Sequence, residues 1–124
     1  MKDHAQKRDL IKLRDATLET LPAAVQVQPD DRSQVTPGIV RIGLGNFHRA
    51  HQAWYLHRLM QQGAAQDWAI IGAGVRSYDA GMRDHLIAQD SLSLLIALHP
   101  ERMSAEEIGS MIDYLPVEED NKSL

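Results

Sequence analysis

The chain has 124 residues, 44% of them hydrophobic and 24% charged, with a formal net charge of −4 and no cysteine. Those values describe one globular domain able to bury a core. They exclude a disulfide framework, a thiolate metal site and a cysteine nucleophile, and the acidic balance argues against a nucleic-acid face. The N-terminus runs into a charged stretch rather than an apolar signal segment. No apolar run approaches the roughly 20 residues of a membrane span, so the chain reads as a cytoplasmic protein that does not enter membranes.

Residues 1–36 are polar and read as an N-terminal extension and linker. Leu10, Ile11, Leu13, Leu18 and Leu21 are spaced to line one or two short helices ending before Pro22. Residues 22–37, with three prolines and Asp30-Asp31, read as a surface linker. Ile39–Ile42 is the first strand, nearly continuous in hydrophobicity, as a parallel strand covered on both faces would be. Gly43-Leu44-Gly45 is a turn. From Phe47 to Gln62 the recurrence of Ala50, Ala53, Trp54, Leu56 and Met60 predicts a helix, with Gly63 as its stop.

Trp68–Val75 is the second strand, Asp79–Gln89 a second helix, and Leu92–Leu98 a third strand halted by Pro100. The next segment carries two signals. Ser104-Ala-Glu-Glu107 spells a capping box, but the even spacing of Ile108, Ile112 and Tyr114 and the Gly109-Ser110 pair favour a strand over Glu107–Leu115, paired with the third strand. Glu118-Glu119-Asp120 places acid where another helix would start. No internal repeat or low-complexity tract is present. The order strand, helix, strand, helix, strand specifies an α/β fold: a partial Rossmann-type parallel sheet, the first βαβ half with a β-hairpin. A whole doubly wound dinucleotide domain needs two such halves.

Gly43 and Gly45 are where backbone amides could approach a pyrophosphate, with the following helix aimed at the same place. Arg49 would add a cation with bidentate reach to phosphate oxygens, and Phe47 would pack on the cofactor or under the loop. Two glycines after a strand are also an ordinary strand-to-helix turn, and the third glycine of the dinucleotide fingerprint is replaced by His48. Asp79, just past the second strand, is placed either to accept from an adenosine ribose or to cap its own helix. Arg76 would serve the adenosine end or sit in water. His48, His51 and His57 lack a carboxylate companion for a metal, so a solvated or loop-packing role is expected, with no metal. Trp54 and Tyr55 read as core and subunit-contact residues.

"GIVRIGLGNFHRAHQAWYL", "DWAIIGAGVRSYDAGMRDHLIAQDSLSLLIAL" and "EEIGSMIDYLPVEED" together resemble the N-terminal part of the mannitol 2-dehydrogenase family of polyol-specific long-chain dehydrogenases, which includes arabinitol dehydrogenases and fructuronate and tagaturonate reductases. The resemblance runs from about Ala16 onward, and its G-x-G-x-F-H-R-A-H-Q run is far more specific than a bare G-x-G. It implies a Rossmann-type NAD-binding domain, here 37–124 and truncated, and a C-terminal substrate domain absent from this chain. It implies metal-free hydride transfer between a polyol, mannitol foremost, and NAD, giving a ketose. Carried over, Gly43, Gly45, Phe47 and Arg49 form the cofactor loop, and Asp79 favours NAD over NADP, with Tyr78 where relatives carry a second acid. The family's lysine base and asparagines match nothing here; Asn121 and Lys122 lie in no matching motif and read as a solvated helix start. The chain is therefore expected to be inactive alone, and its open sheet edge to promote self-association. The alternatives are a uronate reductase portion and a non-catalytic, vestigial nucleotide-binding domain. Oligomeric state is not specified by the sequence.

Overall fold

The computed structural model describes residues 10–27 and 32–115. Its strands are β1 (Val25–Gln26), β2 (Pro37–Ile42), β3 (Ala69–Ala73), β4 (Ser93–Leu98), β5 (Met103–Ile108) and β6 (Met111–Tyr114); its helices are α1 (Asn46–Ala50), α2 (Gln52–Gln61) and α3 (Asp79–Ala88). Short 3-10 turns occupy Asp15–Thr20 and Arg32–Gln34. Two three-stranded sheets result. One is all-parallel, in the order β2-β3-β6, and the other runs β1-β5-β4.

The parallel sheet is the predicted α/β unit, with α1 and α2 in the first crossover. Each strand has a short apolar core: β3 is buried along Ala69, Ile70, Gly72 and Ala73. β2 departs from expectation. It is the edge of the parallel sheet among the described residues, and Val40 and Ile42 are more than half exposed. A parallel strand is normally covered on both faces.

The predicted helix over Phe47–Gln62 is broken at His51, whose backbone (φ −121°, ψ −78°) separates α1 from α2. Within α2 the burial of Ala53, Leu56, His57 and Met60 follows the i, i+3, i+4, i+7 stripe of a helix lying on a core. It ends as expected at Gly63. The Gly63 φ is +79°, the Ala64 N–H donates to Leu59 O at 3.1 Å and the Gly63 N–H to Met60 O at 3.0 Å. That is a Schellman closure, which glycine adopts without steric penalty.

Two expectations are corrected downstream. The strand expected over Glu107–Leu115 is two strands, β5 and β6, separated by Gly109-Ser110. β5 pairs antiparallel with β4, so the third strand joins the second sheet; the third strand of the parallel sheet is β6, beside β3. The physical reason lies in the link. Ser110 is fully buried, its Oγ donates to Ala53 O at 2.6 Å, and Ile70 N–H donates to Ser110 O at 2.9 Å. These bonds pull the chain from one sheet across α2 to the other. The expected helix start at Glu118–Asp120 lies outside the described residues.

The N-terminal segment is more than a surface linker. The short helix expected before Pro22 is a 3-10 turn over Asp15–Thr20, and Val25–Gln26 adds a parallel strand to β5. Arg32 fastens it to both sheets: Nη1 donates to Asp15 Oδ1 at 2.7 Å, Nε to Gly109 O at 3.2 Å, and Nη2 to Asp90 O at 3.0 Å and to Met111 O. α2 is tied to β5 in a similar way. Trp54 Nε1 donates to the buried Glu106 carboxylate at 2.8 Å and Arg58 pairs with it at 3.2 Å. A buried charge held by a cation and a neutral donor avoids the cost of an orphaned ion. Trp54 is thus half-buried against β5, whereas Tyr55 is exposed.

Candidate cofactor site

β2 and β3 run in the same direction, so their C-terminal ends open on one edge. The Gly43 N–H donates to Ala73 O at 2.9 Å, which locks the end of β2 against the end of β3. Gly43 adopts φ +80°, a left-handed backbone that disfavours any side chain. The chain then enters α1 through Gly45, an extended residue (φ −79°, ψ 174°). A Cβ at either Gly43 or Gly45 would meet nothing within 4 Å. The space before the turn is open, and the first amides of α1 have no acceptor within the helix. An oxyanion placed there would accept from them without desolvating a competing group.

Asp79 stands at the same edge. Its Oδ2 accepts from the Val75 and Arg76 N–H groups, each at 3.0 Å. It does not cap its own helix; it fastens the β3–α3 loop and leaves Oδ1 outside these bonds. Gly74 makes this possible by lacking a side chain. A Cβ there would collide with Asp79 Cβ and lie 3.1 Å from Asp79 Cγ. Arg76 is exposed, with Nη1 donating to Tyr78 Oη at 2.6 Å and its guanidinium over that ring.

The structure therefore brings Gly43, Gly45 and Asp79 together. The other two predicted residues are placed differently. Phe47 is 77% exposed and stacks on His51 with ring centroids 4.1 Å apart, beside the turn and not beneath it. Arg49 folds back along α1: Nη2 donates to Asn46 Oδ1 at 2.7 Å, and the side chain borders a cavity of about 220 Å³ with Ser93, Gln89 and Leu95.

Of the histidines, expected to be solvated or to pack on loops, two are buried. His51 is exposed, but His48 and His57 are each 4% exposed. His48 occupies the position of the third glycine and turns inward, and neither ring nitrogen has a hydrogen-bond partner. Burial lowers its pKa below 6.5, as do the Arg41 and Arg49 charges; Gln52, close to the ring but outside hydrogen-bond geometry, opposes them. The imidazole is thus held neutral. His57 accepts from the Gly109 N–H at 3.1 Å through Nδ1, which supports the link between the sheets. Among the described residues no three His, Asp or Glu side chains group as metal ligands, and no helix is long and apolar enough to cross a membrane. Lys122 and Asn121 lie outside the described residues. Gly74 and Tyr114, which meet beside Asp79, carried no local signal beyond glycine at a strand end.

A cavity of about 350 Å³ lies away from this edge, lined by Arg32, Ser33, His57, Gln66 and Glu107 among others. Arg32 commits its donors there to Asp15 and to backbone carbonyls. That cavity is a seam between the N-terminal segment and the sheets.

Comparison with known proteins gives the family of the chain. The mannitol dehydrogenase Rossmann domain family matches residues 37–124. The mannitol 2-dehydrogenase of Cereibacter sphaeroides is 57% identical over 94 residues, which cover 76% of this chain and 20% of the relative. That of Phaeosphaeria nodorum is 43% identical over 105 residues, covering 85% and 18%. A solved Pseudomonas fluorescens mannitol 2-dehydrogenase, in ternary complex with NAD and D-mannitol, superposes with a TM-score of 0.80 at 40% identity, covering 85% of this chain and 22% of that one. A substrate-free D-sorbitol dehydrogenase gives a TM-score of 0.74 at 36% identity, covering 84% and 22%. The chain spans about a fifth of the length of these relatives. By sequence, by fold and by the glycine turn at the edge of a parallel sheet, the chain belongs to the mannitol dehydrogenase Rossmann-domain family.

Proposed function

We propose that the chain is the NAD-binding part of a cytoplasmic polyol dehydrogenase that interconverts a sugar alcohol, mannitol foremost, and its ketose. The observation that carries this reading is the unobstructed glycine turn beside Asp79 at one edge of the parallel sheet. When bound, NAD supplies the hydride-accepting nicotinamide. The chain's own residues do the holding. Amides of the turn and of α1 donate to the pyrophosphate oxygens. Asp79, through Oδ1, accepts from the adenosine ribose hydroxyls, and its charge repels a 2′-phosphate, which favours NAD over NADP. Phe47, exposed beside the turn, offers an apolar face to the cofactor, and Arg49 adds positive charge on α1.

The mannitol complex of the 40% identical relative supports mannitol as substrate. The likeness to a D-sorbitol dehydrogenase supports a neighbouring hexitol as the second reading. The alcohol proton needs a base within hydrogen-bond reach. Among the described residues Lys12, on the N-terminal segment, is the only lysine. The base that the resemblance implies is a lysine, so we propose no proton-transfer group among these residues and expect the 124-residue chain by itself to bind cofactor without turning it over.

The test is a titration of the purified chain with NAD and NADP, followed by Trp54 and Trp68 fluorescence, with Asp79→Ala alongside. Saturable NAD binding, tighter than NADP and weakened in the variant, is expected. Equal binding of both cofactors would overturn the role of Asp79, and no binding by a folded chain would overturn the site.

A further inference from the structure

The end of β6 brings a tyrosine to the carboxylate at this edge. Tyr114 is 3% exposed, and its ring lies along β3: a Cβ at Gly72 would be 2.9 Å from Tyr114 Cδ2 and 3.2 Å from Cε2. Its hydroxyl reaches the next glycine. Tyr114 Oη is 2.8 Å, and Asp79 Cγ 3.1 Å, from the point a Cβ would occupy on Gly74. Phenol and carboxyl therefore share the space over one glycine. On its other side the Asp79 carboxylate is held by the Val75 and Arg76 amides.

We infer that Tyr114 is a positioning residue for cofactor selectivity, filling the space into which the Asp79 carboxylate would otherwise retreat and so keeping that charge against the ribose end of the cofactor. The inference rests on the reading of Asp79 given above. A carboxylate free to swing away would relieve its repulsion of a 2′-phosphate. One held by two backbone amides, with a phenol over the same glycine, has less such freedom, and its charge is kept nearer the place a 2′-phosphate would take. The titration of Tyr114 agrees with the contact. Burial raises the phenol above its ordinary pKa of 10, the Asp79 charge raises it further, and Arg83 opposes. The phenol thus stays neutral at physiological pH.

The experiment compares Tyr114→Phe, Asp79→Asn and the double variant, each in the 124-residue chain, by titration with NAD and with NADP. Tyr114→Phe is expected to leave NAD affinity within about twofold and to reduce the preference for NAD over NADP by about three- to tenfold, the size of coupling usual between touching polar groups. Asp79→Asn should reduce the preference further, and the double variant should match Asp79→Asn, because Tyr114 acts through the carboxylate. An unchanged preference in Tyr114→Phe with a reduced one in Asp79→Asn would overturn the role of Tyr114 alone. An unchanged preference in Asp79→Asn would overturn the underlying reading. Alkaline absorbance titration reads the contact without cofactor. The Tyr114 phenol, raised by burial and by the Asp79 charge, should move to lower pH in Asp79→Asn. A Tyr114 phenol that Asp79→Asn does not move would also overturn the proposal.

Discussion

Gly45 separates a cofactor role from a structural one. Its backbone is extended (φ −79°, ψ 174°), so any residue fits, and a Cβ would meet nothing within 4 Å. Alanine there costs no strain and reduces the freedom of the unfolded chain, a gain of about 0.4–1 kcal/mol, offset by about 0.5–1 kcal/mol for the poorer helix N-cap. Unfolding stability in urea should therefore stay within about 0.5 kcal/mol of the parent. NAD binding should not survive as well. The added methyl would project into the open space where the pyrophosphate approaches the amides, and a weakening of about tenfold or more, or 1.4 kcal/mol, is expected. Gly43→Ala and Gly74→Ala provide the contrast. The first meets φ +80° and should lose about 1 kcal/mol of stability. The second drives a Cβ into Asp79 Cβ and Tyr114 Oη and should lose about 1–3 kcal/mol by overpacking. Paired urea melts and NAD titrations of the three variants check this. A Gly45→Ala chain with parental NAD affinity would refute the placement of the cofactor over the turn.

Two further outcomes follow from the polar interior. Arg32→Ala strips partners from Gly109 O and Met111 O, both at the link between the sheets, and breaks an ion pair to the half-exposed Asp15. The ion pair contributes little, the carbonyl bonds more, and a loss of about 2–4 kcal/mol in urea unfolding is expected; a loss under about 0.5 kcal/mol would contradict the fastening role. His48 has its folded pKa lowered below 6.5 by burial, with Arg41 and Arg49 adding to it. The unfolded chain therefore binds the proton more readily, so the stability this group contributes is complete above about pH 6.5 and is lost as pH falls toward the lowered folded pKa. His48→Phe, which removes two unpartnered ring nitrogens, should flatten the decline of stability between about pH 7 and 5. The same slope in parent and variant would contradict a buried neutral ring.

Local signals in the sequence were enough for β2, the glycine turn, the apolar stripe of α2 and the Gly63 stop, because each depends on neighbours within a few positions. The turn was legible for the same reason: Gly43 and Gly45 follow a strand that hydrophobicity marks clearly, and Asp79 opens the helix after the next strand. What failed depends on distant partners. Gly109-Ser110 looks like a weak point in one strand, yet it is the crossing between two sheets, fixed by Ala53 and Ile70. His48 and His57 look like positions on one helix; the tertiary fold buries both, and the Gly109 N–H, about fifty residues on, donates to His57. Gly74 reads as a strand end, and Asp79 together with Tyr114, forty residues on, shows why no side chain fits there.

The most direct measurement of the central claim is an amide NMR titration of the chain with NAD. The account predicts saturable shifts confined to Gly43, Gly45, Asn46, Phe47, Val75 and Arg76, at the C-terminal edge of β2 and β3. Shifts centred instead on Arg32, Ser33 and Gln66, or a folded spectrum that NAD leaves untouched, would contradict it.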